Sequence, residues 1–502
     1  MANKKPTAAD FVGEGTRDEQ EQSEQQEKKS AKNAGADKSS KSSSKSSSSS
    51  KSSSSDSSSK KNTSQKSSGK KTSRKRATSR DNQNSGKQSG GQNGNGQRNS
   101  SGQGSSNGQR SGNGQGSNQQ DDSSSDQSDE TLGGILDTSR NGHGVLRIKY
   151  SGGERDAYIS NSQIRRFNLR SGDKVEGPAR RPKENERYWG LLQIDTVNGV
   201  KAEQFRKQSR PKFKQLTPVY PDDQIQLETG KTPLSLRIID MVAPIGKGQR
   251  SLIVSPPKAG KTTLLKEIST GVASNNPEIH MIAVLVGERP EEVTDIRRHM
   301  EKITKGKAEV AASNFDESAE DQTSVAELAL ARAKRLVEMG QDVLILLDSI
   351  TRLARAYNLA MPTSGRTLSG GFDPAALFPP KRFFGAARNF EDKGSLTIVG
   401  TALIDTGSRM DDLIYEEFKG TGNQEIHLDR RLAERRIYPA IDVQKSGTRK
   451  DELLLDSQTY QSVITLQRML DTLNHEERTS TLISQLKRTD SNKDFLASLK
   501  TA

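Results

Sequence analysis

Hydrophobic residues are distributed very unevenly along this chain. Between Val12 and Leu132 the sequence contains no Val, Ile, Leu, Met, Phe, Tyr or Trp. A segment of this kind cannot bury enough apolar surface to offset the conformational entropy that ordering would cost. The pattern therefore predicts a disordered tail over residues 1–130, which is rich first in Ser and Lys and then in Gly, Asn and Gln.

Short apolar runs of the kind found in β-strands begin after Leu132. They include Val145–Ile148, Ala157–Ile159 and Tyr188–Ile194, and turn-forming sequences such as Gly152-Gly153 separate them. Short strands at regular intervals are typical of small closed barrels. We therefore expect a β-barrel of the OB or cold-shock type over residues 131–207.

The pattern changes again after a basic connector, which we assign to residues 208–236. From Arg237 onward, apolar runs of strand length alternate with stretches that have helical spacing. This alternation predicts a parallel α/β sheet, and residues 237–502 form one α/β domain with helices at its C-terminal end.

Composition narrows the possible partners. The formal net charge of +14 and the pI near 9.6 favour a polyanionic partner. The chain has no Cys, which excludes disulfides and thiolate chemistry, and its five His residues show no metal-binding spacing. No apolar run approaches the roughly 20 residues that span a bilayer, so we expect a cytoplasmic protein without a membrane segment.

A phosphate-binding loop is predicted at Ser255–Thr262. It follows the apolar run Leu252–Val254 and leads into a helical stretch, so a strand, a tight loop and a helix N-terminus would surround an anion. Lys261 would reach the β- and γ-phosphates and the Thr262 hydroxyl would bind Mg²⁺. The loop departs from the common pattern because Ser255 stands where the first Gly is usual.

Two acidic residues follow later buried strands. Glu288 comes after Met281–Val286, where it would polarise a water molecule, and Asp348 comes after Val343–Leu347, where it would lie in the Mg²⁺ shell. Arg289, next to Glu288, would relay the state of the nucleotide. The loop and the two strand-end acids, in this order, predict hydrolysis of a nucleoside triphosphate.

The predicted barrel carries aromatic and cationic residues suited to single-stranded nucleic acid. The aromatic candidates for base stacking are Tyr158, Phe167, Tyr188 and Trp189. The cations that would follow a phosphate backbone are Arg147, Arg165, Arg166, Arg170, Arg180, Arg181 and Arg187. The alternative is that several of these aromatic residues fill the core of the barrel.

Three Gly-containing turns each carry an Arg. Arg366 and Arg409 lie in two of them, where they would either contact a phosphate backbone or belong to mobile surface turns. Arg449 lies in the third, where it could act on the γ-phosphate held by a neighbouring subunit.

From about residue 130 to the end, the chain resembles the Rho family of bacterial transcription termination factors, which are RNA-dependent ATPases and helicases. The runs that carry the resemblance are Ser160–Arg170, Pro256–Thr262, Glu288–Thr294, Leu347–Asn358, Lys381–Asn389, Thr401–Ser408, Tyr415–Asn423 and Ser446–Lys450. The resemblance implies a RecA-like motor domain, a homohexameric ring, and an ATP and Mg²⁺ site at each subunit interface. The implied activity is 5′-to-3′ translocation on nascent RNA, which releases it from RNA polymerase, with elongation factors as further partners.

The resemblance also assigns roles to single residues. It makes Glu288 the catalytic base, Asp348 a metal ligand, Arg289 and Arg352 nucleotide sensors, and Tyr438 the residue that stacks on adenine. Arg449 would be contributed by the neighbouring subunit. The residues assigned around the phosphates are Lys258, Ala259, Gly260, Lys261, Thr262 and Thr263. The residues it assigns to RNA are Tyr158, Glu186, Arg187 and Tyr188 on the barrel, with Arg366 and Arg409 in a central channel. Arg147, among the cations of the predicted barrel, joins them as a candidate RNA contact.

The chain departs from the family pattern in three places. Low-complexity sequence stands where a small helical bundle is usual. His143 and Val145 replace two Phe residues of the barrel, which weakens base stacking worth roughly 1–3 kcal/mol per ring. Arg366 and Arg409 replace Lys residues and keep the charge.

Two rival interpretations remain open from the sequence. The first is a rotary ATP synthase or secretion-type ATPase subunit, which shares the Gly-Glu-Arg after the second strand but would ignore RNA. The second is a non-catalytic RNA-binding or condensate-forming protein built on the N-terminal tail.

Overall fold

The computed structural model describes residues 130–139, 142–368, 370–391 and 394–499. The predicted disordered tail, apart from Glu130, lies outside the described residues. Within the described part, one small sheet forms a barrel and one large sheet forms an α/β domain, which is called the motor domain below after the resemblance stated above. No helix of this part is both long and apolar enough to cross a membrane.

The small sheet closes on itself. Its main strands are β1 (Glu130–Thr138), β2 (Gly144–Arg147), β3 (Ala157–Ile159), β4 (Lys174–Arg180) and β5 (Trp189–Leu191). Pairing runs β1-β2-β3-β5-β4 and β4 returns to β1, with only the β3–β5 pair parallel among these. The short hairpin of β6 (Thr196–Val197) and β7 (Val200–Lys201) continues from β4, and the helices are α1 (Asn161–Arg166) and α2 (Ala202–Lys207). This five-stranded closed barrel confirms the OB-type prediction.

Local sequence explains how the barrel closes. Along β4, buried residues alternate with more exposed ones, as a strand with one face on a core requires. A side chain on Gly144 would approach within 2.6 Å of Leu136 Cδ1 and 2.9 Å of the Asp137 carbonyl oxygen, so β1 and β2 can pair closely only around glycine. Ser160 begins α1 with a capping box, in which its hydroxyl accepts from Gln163 N and its own N–H donates to Gln163 Oε1.

The large sheet is mainly parallel. Its strands are β8 (Pro218–Val219), β9 (Arg250–Ser255), β10 (His280–Glu288), β11 (Glu309–Asn314), β12 (Asp342–Asp348), β13 (Arg388–Phe390), β14 (Ser395–Leu403), β15 (Gln424–Leu428) and β16 (Ile441–Thr448). The order across the sheet is β11-β10-β12-β14-β9-β15-β16, parallel through β15, while β16 is antiparallel to β15. Strand β13 pairs with β14 and β8 beside this path.

Helices cover both faces of the large sheet. They are α3 (Leu234–Val242), α4 (Lys261–Asn275), α5 (Pro290–Thr304), α6 (Ala319–Val337), α7 (Ile350–Ala360), α8 (Phe378–Phe384), α9 (Arg409–Lys419), α10 (Arg430–Glu434), α11 (Ser457–Asp471), α12 (His475–Leu486) and α13 (Asn492–Ser498). Three 3₁₀ turns lie at Phe213–Gln215, Pro374–Leu377 and Asp451–Leu453. One apolar core packs α3, α4, α5 and α11 to α13 on one face, and a second packs α6 to α9 on the other. The central strands are therefore continuous apolar runs, as parallel strands buried on both faces are.

The predicted connector packs against the motor domain. Phe213 is buried in the core that contains α6, and Ile225 and Leu227 are buried in the core that contains α3. The connection between barrel and motor is thus held by apolar contacts as well as by the chain itself.

A buried cluster of charges joins the barrel to the motor. The Glu338 carboxylate, at the end of α6, accepts from Arg170 Nη1 at 2.7 Å and from Phe213 N at 2.8 Å, and lies 2.8 Å from Arg335 Nη2. Arg210 lies next to Glu338 and donates a hydrogen bond to Asp173 Oδ2 at 3.0 Å. Sequence reasoning placed Arg170 among the cations that follow RNA, and this was wrong because its guanidinium is committed to Glu338.

A second cluster joins the two domains at Glu309. Its carboxylate accepts from the Tyr150 hydroxyl of the barrel and from Arg332 Nε at 3.0 Å, and lies 3.0 Å from His280 Nε2. Arg332 also donates to Asn198 Oδ1 of the barrel at 2.6 Å. Burial alone would raise the pKa of Glu309, but His280 and Arg332 outweigh it and lower the pKa to about 2.

We expect Glu338→Ala to destabilise the protein strongly. The substitution leaves the guanidinium groups of Arg170 and Arg335 without their buried counter-charge, which costs about 3–5 kcal/mol in comparable sites. Calorimetric unfolding should therefore show a clearly lower melting temperature. Glu434→Ala, which breaks an exposed pair with Arg430, is the control and should leave the melting temperature nearly unchanged. Equal melting temperatures for the two variants would contradict the role of Glu338.

Candidate nucleotide site and nucleic-acid surface

The predicted phosphate loop lies between β9 and α4. Lys258 and Gly260 adopt left-handed backbone angles, with φ of 66° and 102°, so the chain turns sharply before the helix begins at Lys261. Ala259 is buried, while Lys258 and Gly260 are exposed. Ser255 is fully buried and its hydroxyl donates to the Pro256 carbonyl oxygen at 2.9 Å, so a serine satisfies its own hydrogen bond at this position.

The first turn of α4 completes the cradle. The first N–H groups of a helix have no intrahelical acceptor, and together with the helix dipole they attract an anion. Thr262 is partly exposed and Thr263 is exposed in this turn. The loop and the helix end therefore form a surface suited to phosphate.

Four predicted residues meet beside this loop. Lys261 Nζ lies 2.6 Å from Asp348 Oδ1 and 3.5 Å from Glu288 Oε1. Arg352 Nε lies 3.2 Å from the same Glu288 oxygen, and its guanidinium also donates to the Gly287 carbonyl oxygen. Strands β10 and β12 are neighbours in the sheet, with Leu285 opposite Asp348, which brings the two acids together. The strand-end residues thus form one buried site.

Burial sets the proton affinities in this cluster. Burial, together with the nearby Asp348 carboxylate, raises the pKa of Glu288, although Lys261 and Arg352 oppose the shift. Burial would lower the pKa of Lys261, but Asp348 and Glu288 outweigh it, so this pKa is raised. Lys261 therefore stays charged, and Glu288 is a stronger base than an exposed glutamate.

The acids also fit a hard divalent cation. Asp348 Oδ1 accepts from Lys261 and from the Thr401 hydroxyl at 2.7 Å. Asp348 Oδ2 is buried and accepts no hydrogen bond from the described residues. A free carboxylate oxygen next to the Thr262 turn is the kind of ligand that Mg²⁺ or its bound water requires. Sequence reasoning assigned no role to Thr401, because only the β12–β14 pairing brings it to Asp348.

Arg289 and Tyr438 lie outside this cluster. Arg289 precedes α5, and its side chain is 64% exposed with Glu292 Oε1 at 3.6 Å. Tyr438 is 56% exposed, and its hydroxyl donates to the Ala433 carbonyl oxygen at 3.2 Å. It precedes β16, whose first residue pairs with Leu428 at the carboxyl end of β15, so Tyr438 lies at the same edge of the sheet as the phosphate loop.

Arg449 lies at the opposite edge of the sheet. The preceding residue, Thr448, pairs with Gln424, the first residue of β15, and β15 runs parallel to β9. The phosphate loop follows the last residue of β9, so the two positions are separated by the length of a six-residue strand, roughly 16 Å. The structure therefore does not bring Arg449 to the phosphate loop of its own chain.

The two cationic loops of the motor touch each other. Arg366 and Arg409 are both exposed. Gly370, with φ of 81°, lies so close to the second loop that a side chain there would approach Met410 N within 2.8 Å. Asp411, in the first turn of α9, accepts from Arg355 Nε at 2.8 Å and from the Thr406 hydroxyl at 2.7 Å. These contacts tie the second loop to α7, the helix that follows Asp348.

One face of the barrel presents aromatic rings and charge. Tyr158 is 43% exposed, and its ring centroid lies 6.0 Å from that of His143. The Arg187 guanidinium lies 5.3 Å from the Tyr188 ring centroid. Glu186 pairs with Arg180, at 2.6 Å and 2.7 Å, and this hydrogen bonding lowers the pKa of Glu186 to about 2. A carboxylate has four acceptor positions, so Glu186 can still accept from a base.

The remaining aromatic candidates belong to the barrel core. Phe167 and Trp189 are 7% and 9% exposed and pack among the core residues of the barrel. Phe167 and Trp189 therefore fill the core of the barrel and are not available for base stacking, which decides between the two alternatives for these rings. Arg147 is partly committed too, because it donates to Asp156 Oδ2 at 2.9 Å and lies 3.5 Å from Asp137 Oδ2.

Comparison with known proteins gives consistent matches. Residues 132–203 match the family described as Rho termination factor, RNA-binding domain, and residues 235–448 match the ATP synthase alpha/beta family, nucleotide-binding domain. A protein of Bacillus subtilis (strain 168) named transcription termination factor Rho is 57% identical over 365 residues, covering 72% of this chain and 83% of that protein. The protein of the same name from Aquifex aeolicus (strain VF5) is 50% identical over 369 residues, covering 73% and 84%.

A third relative is much longer than the matched region. The protein of the same name from Streptomyces lividans is 54% identical over 372 residues, which is 74% of this chain but only 52% of that protein. The chain thus spans about half the length of this relative.

We expect Arg352→Gln to shift the pH dependence of hydrolysis. Burial already raises the pKa of Glu288, and Arg352 is one of the two cations that oppose this, so its removal should raise that pKa further. A base is active only when deprotonated, so the acid limb of kcat/KM for ATP should move to higher pH. Arg289→Gln, whose side chain is exposed, is the matched control and should keep the wild-type acid limb. An unshifted acid limb in Arg352→Gln would show that Glu288 is not the titrating group.

Proposed function

The chain belongs to the Rho family of transcription termination factors, and from this premise we propose that it is an ATP-driven RNA translocase that ends transcription. It would bind nascent single-stranded RNA, move along it in the 5′-to-3′ direction and release it from RNA polymerase. One observation carries the proposal. A cluster of Lys261, Glu288 and Asp348 suited to nucleotide hydrolysis is built into the same chain as a closed barrel with an aromatic and cationic face.

The geometry of the nucleotide site supports the following roles for its residues. Lys261 and the N–H groups of α4 would hold the phosphates, and Tyr438, exposed at the same edge, would stack on the base. Glu288, whose pKa is raised, would take the proton of the attacking water. Thr262 and Asp348 would hold Mg²⁺, which would neutralise charge that develops on the phosphates.

Arg449 would complete the site of a neighbouring subunit. Its exposed position at the far edge of the sheet puts it out of reach of its own phosphate loop. An arginine that enters in trans stabilises charge in the transition state. We propose a homohexameric ring, in which each nucleotide lies between two subunits.

The cationic loops would couple hydrolysis to movement of RNA. Arg366 and Arg409 would contact the RNA backbone, and the two loops touch at Gly370 and Met410. The second loop is bonded to α7 through Arg355, and α7 follows Asp348 directly. A change at the nucleotide therefore has a short path through bonded residues to the RNA-contacting loops.

The family also suggests the surroundings in which the protein works. We propose elongation factors as further partners and the cytoplasm as its location. The tail of residues 1–130 would add loose, salt-dependent RNA binding through its Lys and Arg residues.

The rival functions make different use of RNA. An ATP synthase or secretion-type subunit would share the nucleotide-binding domain of residues 235–448, but it would have no use for an RNA-type barrel at residues 132–203. A non-catalytic RNA-binding protein would have no use for the buried Lys261–Glu288–Asp348 cluster.

We expect ATP hydrolysis to require single-stranded RNA. The assay compares poly(C), poly(U) and no RNA, and turnover without RNA should be at least tenfold lower, a loss of about 1.4 kcal/mol in transition-state stabilisation. Glu288→Gln should reduce kcat by about 10² or more, because it removes the base, and should leave ATP affinity unchanged. Equal turnover with and without RNA would contradict the proposal.

The role of the tail is tested by measuring hydrolysis and RNA affinity with a protein that lacks it, residues 131–502. Hydrolysis at saturating RNA should match the full chain, while RNA affinity should be weaker, most visibly at low salt. If the full chain and the truncated protein have the same RNA affinity at every salt concentration, the tail is a linker that does not bind RNA.

We expect two inactive variants to restore each other when mixed. Lys261→Ala loses its own phosphate contact but still offers Arg449, and Arg449→Ala keeps an intact phosphate loop. Subunits mixed before ring assembly should regain RNA-stimulated hydrolysis at the interfaces that combine the intact halves. If Arg449 acted within its own chain, the mixture would remain as inactive as the separate variants.

A further inference from the structure

A cleft of about 900 Å³ lies between the barrel and the motor domain. On the barrel side it is formed by β1 and the turn between β2 and β3, and on the motor side by α5, α6 and the start of β11. His280 and Glu309, the first residues of β10 and β11, line it. The cleft therefore lies at the amino edge of the motor sheet, away from the phosphate loop, and is separate from the nucleotide site.

The walls of the cleft are strongly cationic. Six basic side chains line it, against a single carboxylate, Glu309: they are Arg147, Lys149, Lys174, Arg297, Lys307 and Arg332. Three of the six are neutralised. Arg147 pairs with Asp156, Lys174 with Glu176 at 3.0 Å, and Arg332 with Glu309 at 3.0 Å.

The other three cations are available to a ligand. Lys149, Arg297 and Lys307 are exposed, and none of them forms an ion pair within the described part of the chain. Two of these residues belong to the motor domain and one to the barrel. An anion bound by all three would therefore contact both domains.

The lining favours a phosphate backbone over a free nucleotide. Tyr150, the aromatic residue of the cleft, has its hydroxyl bonded to Glu309, and His280 lies against the same carboxylate. Gly133 and Gly134 present bare backbone of β1 along the wall. The Tyr150 ring also packs against the apolar core that contains α6, so it offers a base little surface for stacking, whereas phosphates would find three unpaired cations.

The cleft continues from the aromatic face of the barrel. Arg147 lines the cleft at the end of β2, and on the same strand Val145 pairs with Tyr158 of β3. Tyr158 is the exposed ring that lies beside His143. A single-stranded RNA with a base stacked on Tyr158 can therefore follow β2 past Arg147 to Lys149.

We propose that this cleft binds the phosphate backbone of single-stranded RNA that continues from the barrel, through Lys149, Arg297 and Lys307. The inference rests on the proposed RNA-binding function and extends it to a surface shared by the two domains. Binding here is independent of base identity, because the contacts are to phosphate. It offsets the stacking that the chain lacks at His143 and Val145.

The test compares three proteins as full-length chains. The first is wild type, the second is Lys149→Ala/Arg297→Ala/Lys307→Ala, and the third is a control that removes the same charge elsewhere, Lys207→Ala/Arg298→Ala/Lys302→Ala. The control residues are exposed, and Arg298 and Lys302 lie on α5 beside Arg297 but outside the cleft. ATP affinity without RNA should be equal in all three, which verifies that the variants fold.

RNA affinity is measured against salt concentration with an oligonucleotide of roughly 12 residues, a length that an OB fold and its surroundings accommodate. Each phosphate contact on a single strand adds about 0.7 to the slope of log K against log salt, so the cleft variant should lose about 2 units of slope, and roughly tenfold or more in affinity at low salt. The control should lose much less. A dinucleotide, which reaches only the aromatic face, should bind equally to all three proteins.

The outcomes separate this inference from the function on which it rests. If wild type does not bind RNA, the proposed function fails. If wild type binds RNA but the cleft variant and the control have the same slope, the cleft is not an RNA site and the proposed function stands. Binding of inorganic tripolyphosphate to the same three proteins is measured in parallel. If the cleft variant loses only this binding and keeps its RNA affinity, the cleft is a site for free polyphosphates and the RNA assignment is overturned.

Discussion

Two carboxylates, those of Glu288 and Asp348, are buried side by side at the carboxyl edge of the motor sheet, and the ammonium group of Lys261 lies against both. An uncompensated charge in such a place would cost several kcal/mol, so the site depends on this contact and on Arg352 behind it. The same ammonium group would contact the phosphates of a nucleotide. Because Lys261 cannot contact both partners fully, a bound phosphate would weaken its contact with the two acids and would leave their oxygens free for other ligands.

The parallel sheet decides which residues can share a site. All strand-end residues after β9, β10 and β12 lie at one edge, and the adjacent strands bring Lys261, Glu288 and Asp348 within contact distance. Strand β16, which is antiparallel to β15, carries the chain back to the other edge and leaves Arg449 there. A reversal of one strand is thus sufficient to divide the predicted catalytic set between two places. In the proposed ring, this is why a subunit alone would be incomplete.

Sequence patterns predicted the parts of this site that depend on residues close to one another along the chain. A strand, a Gly-Lys-Thr loop and a helix follow one another directly, and an acid after an apolar run falls at the carboxyl edge of a parallel sheet. Thr401 could not be identified in this way, since its contact with Asp348 spans 53 residues and depends on the order of the strands. The exposed Tyr158 and the buried Trp189 also look alike in sequence. Only the closure of the barrel assigns one ring to the surface and the other to the core.

The misassignment of Arg170 has a physical meaning for how the molecule works. Its bond to Glu338 spans 168 residues, and with Arg210, Asp173 and the Tyr150–Glu309 contact it fixes the barrel to the motor through buried charges. Displacing any one of these groups would leave its partners buried without a counter-charge or a hydrogen bond, so the junction resists movement. The loops that carry Arg366 and Arg409 are exposed and bear glycines with positive φ. Movement driven by the nucleotide is therefore expected in these loops, while the barrel and its cleft keep a constant position relative to the motor sheet.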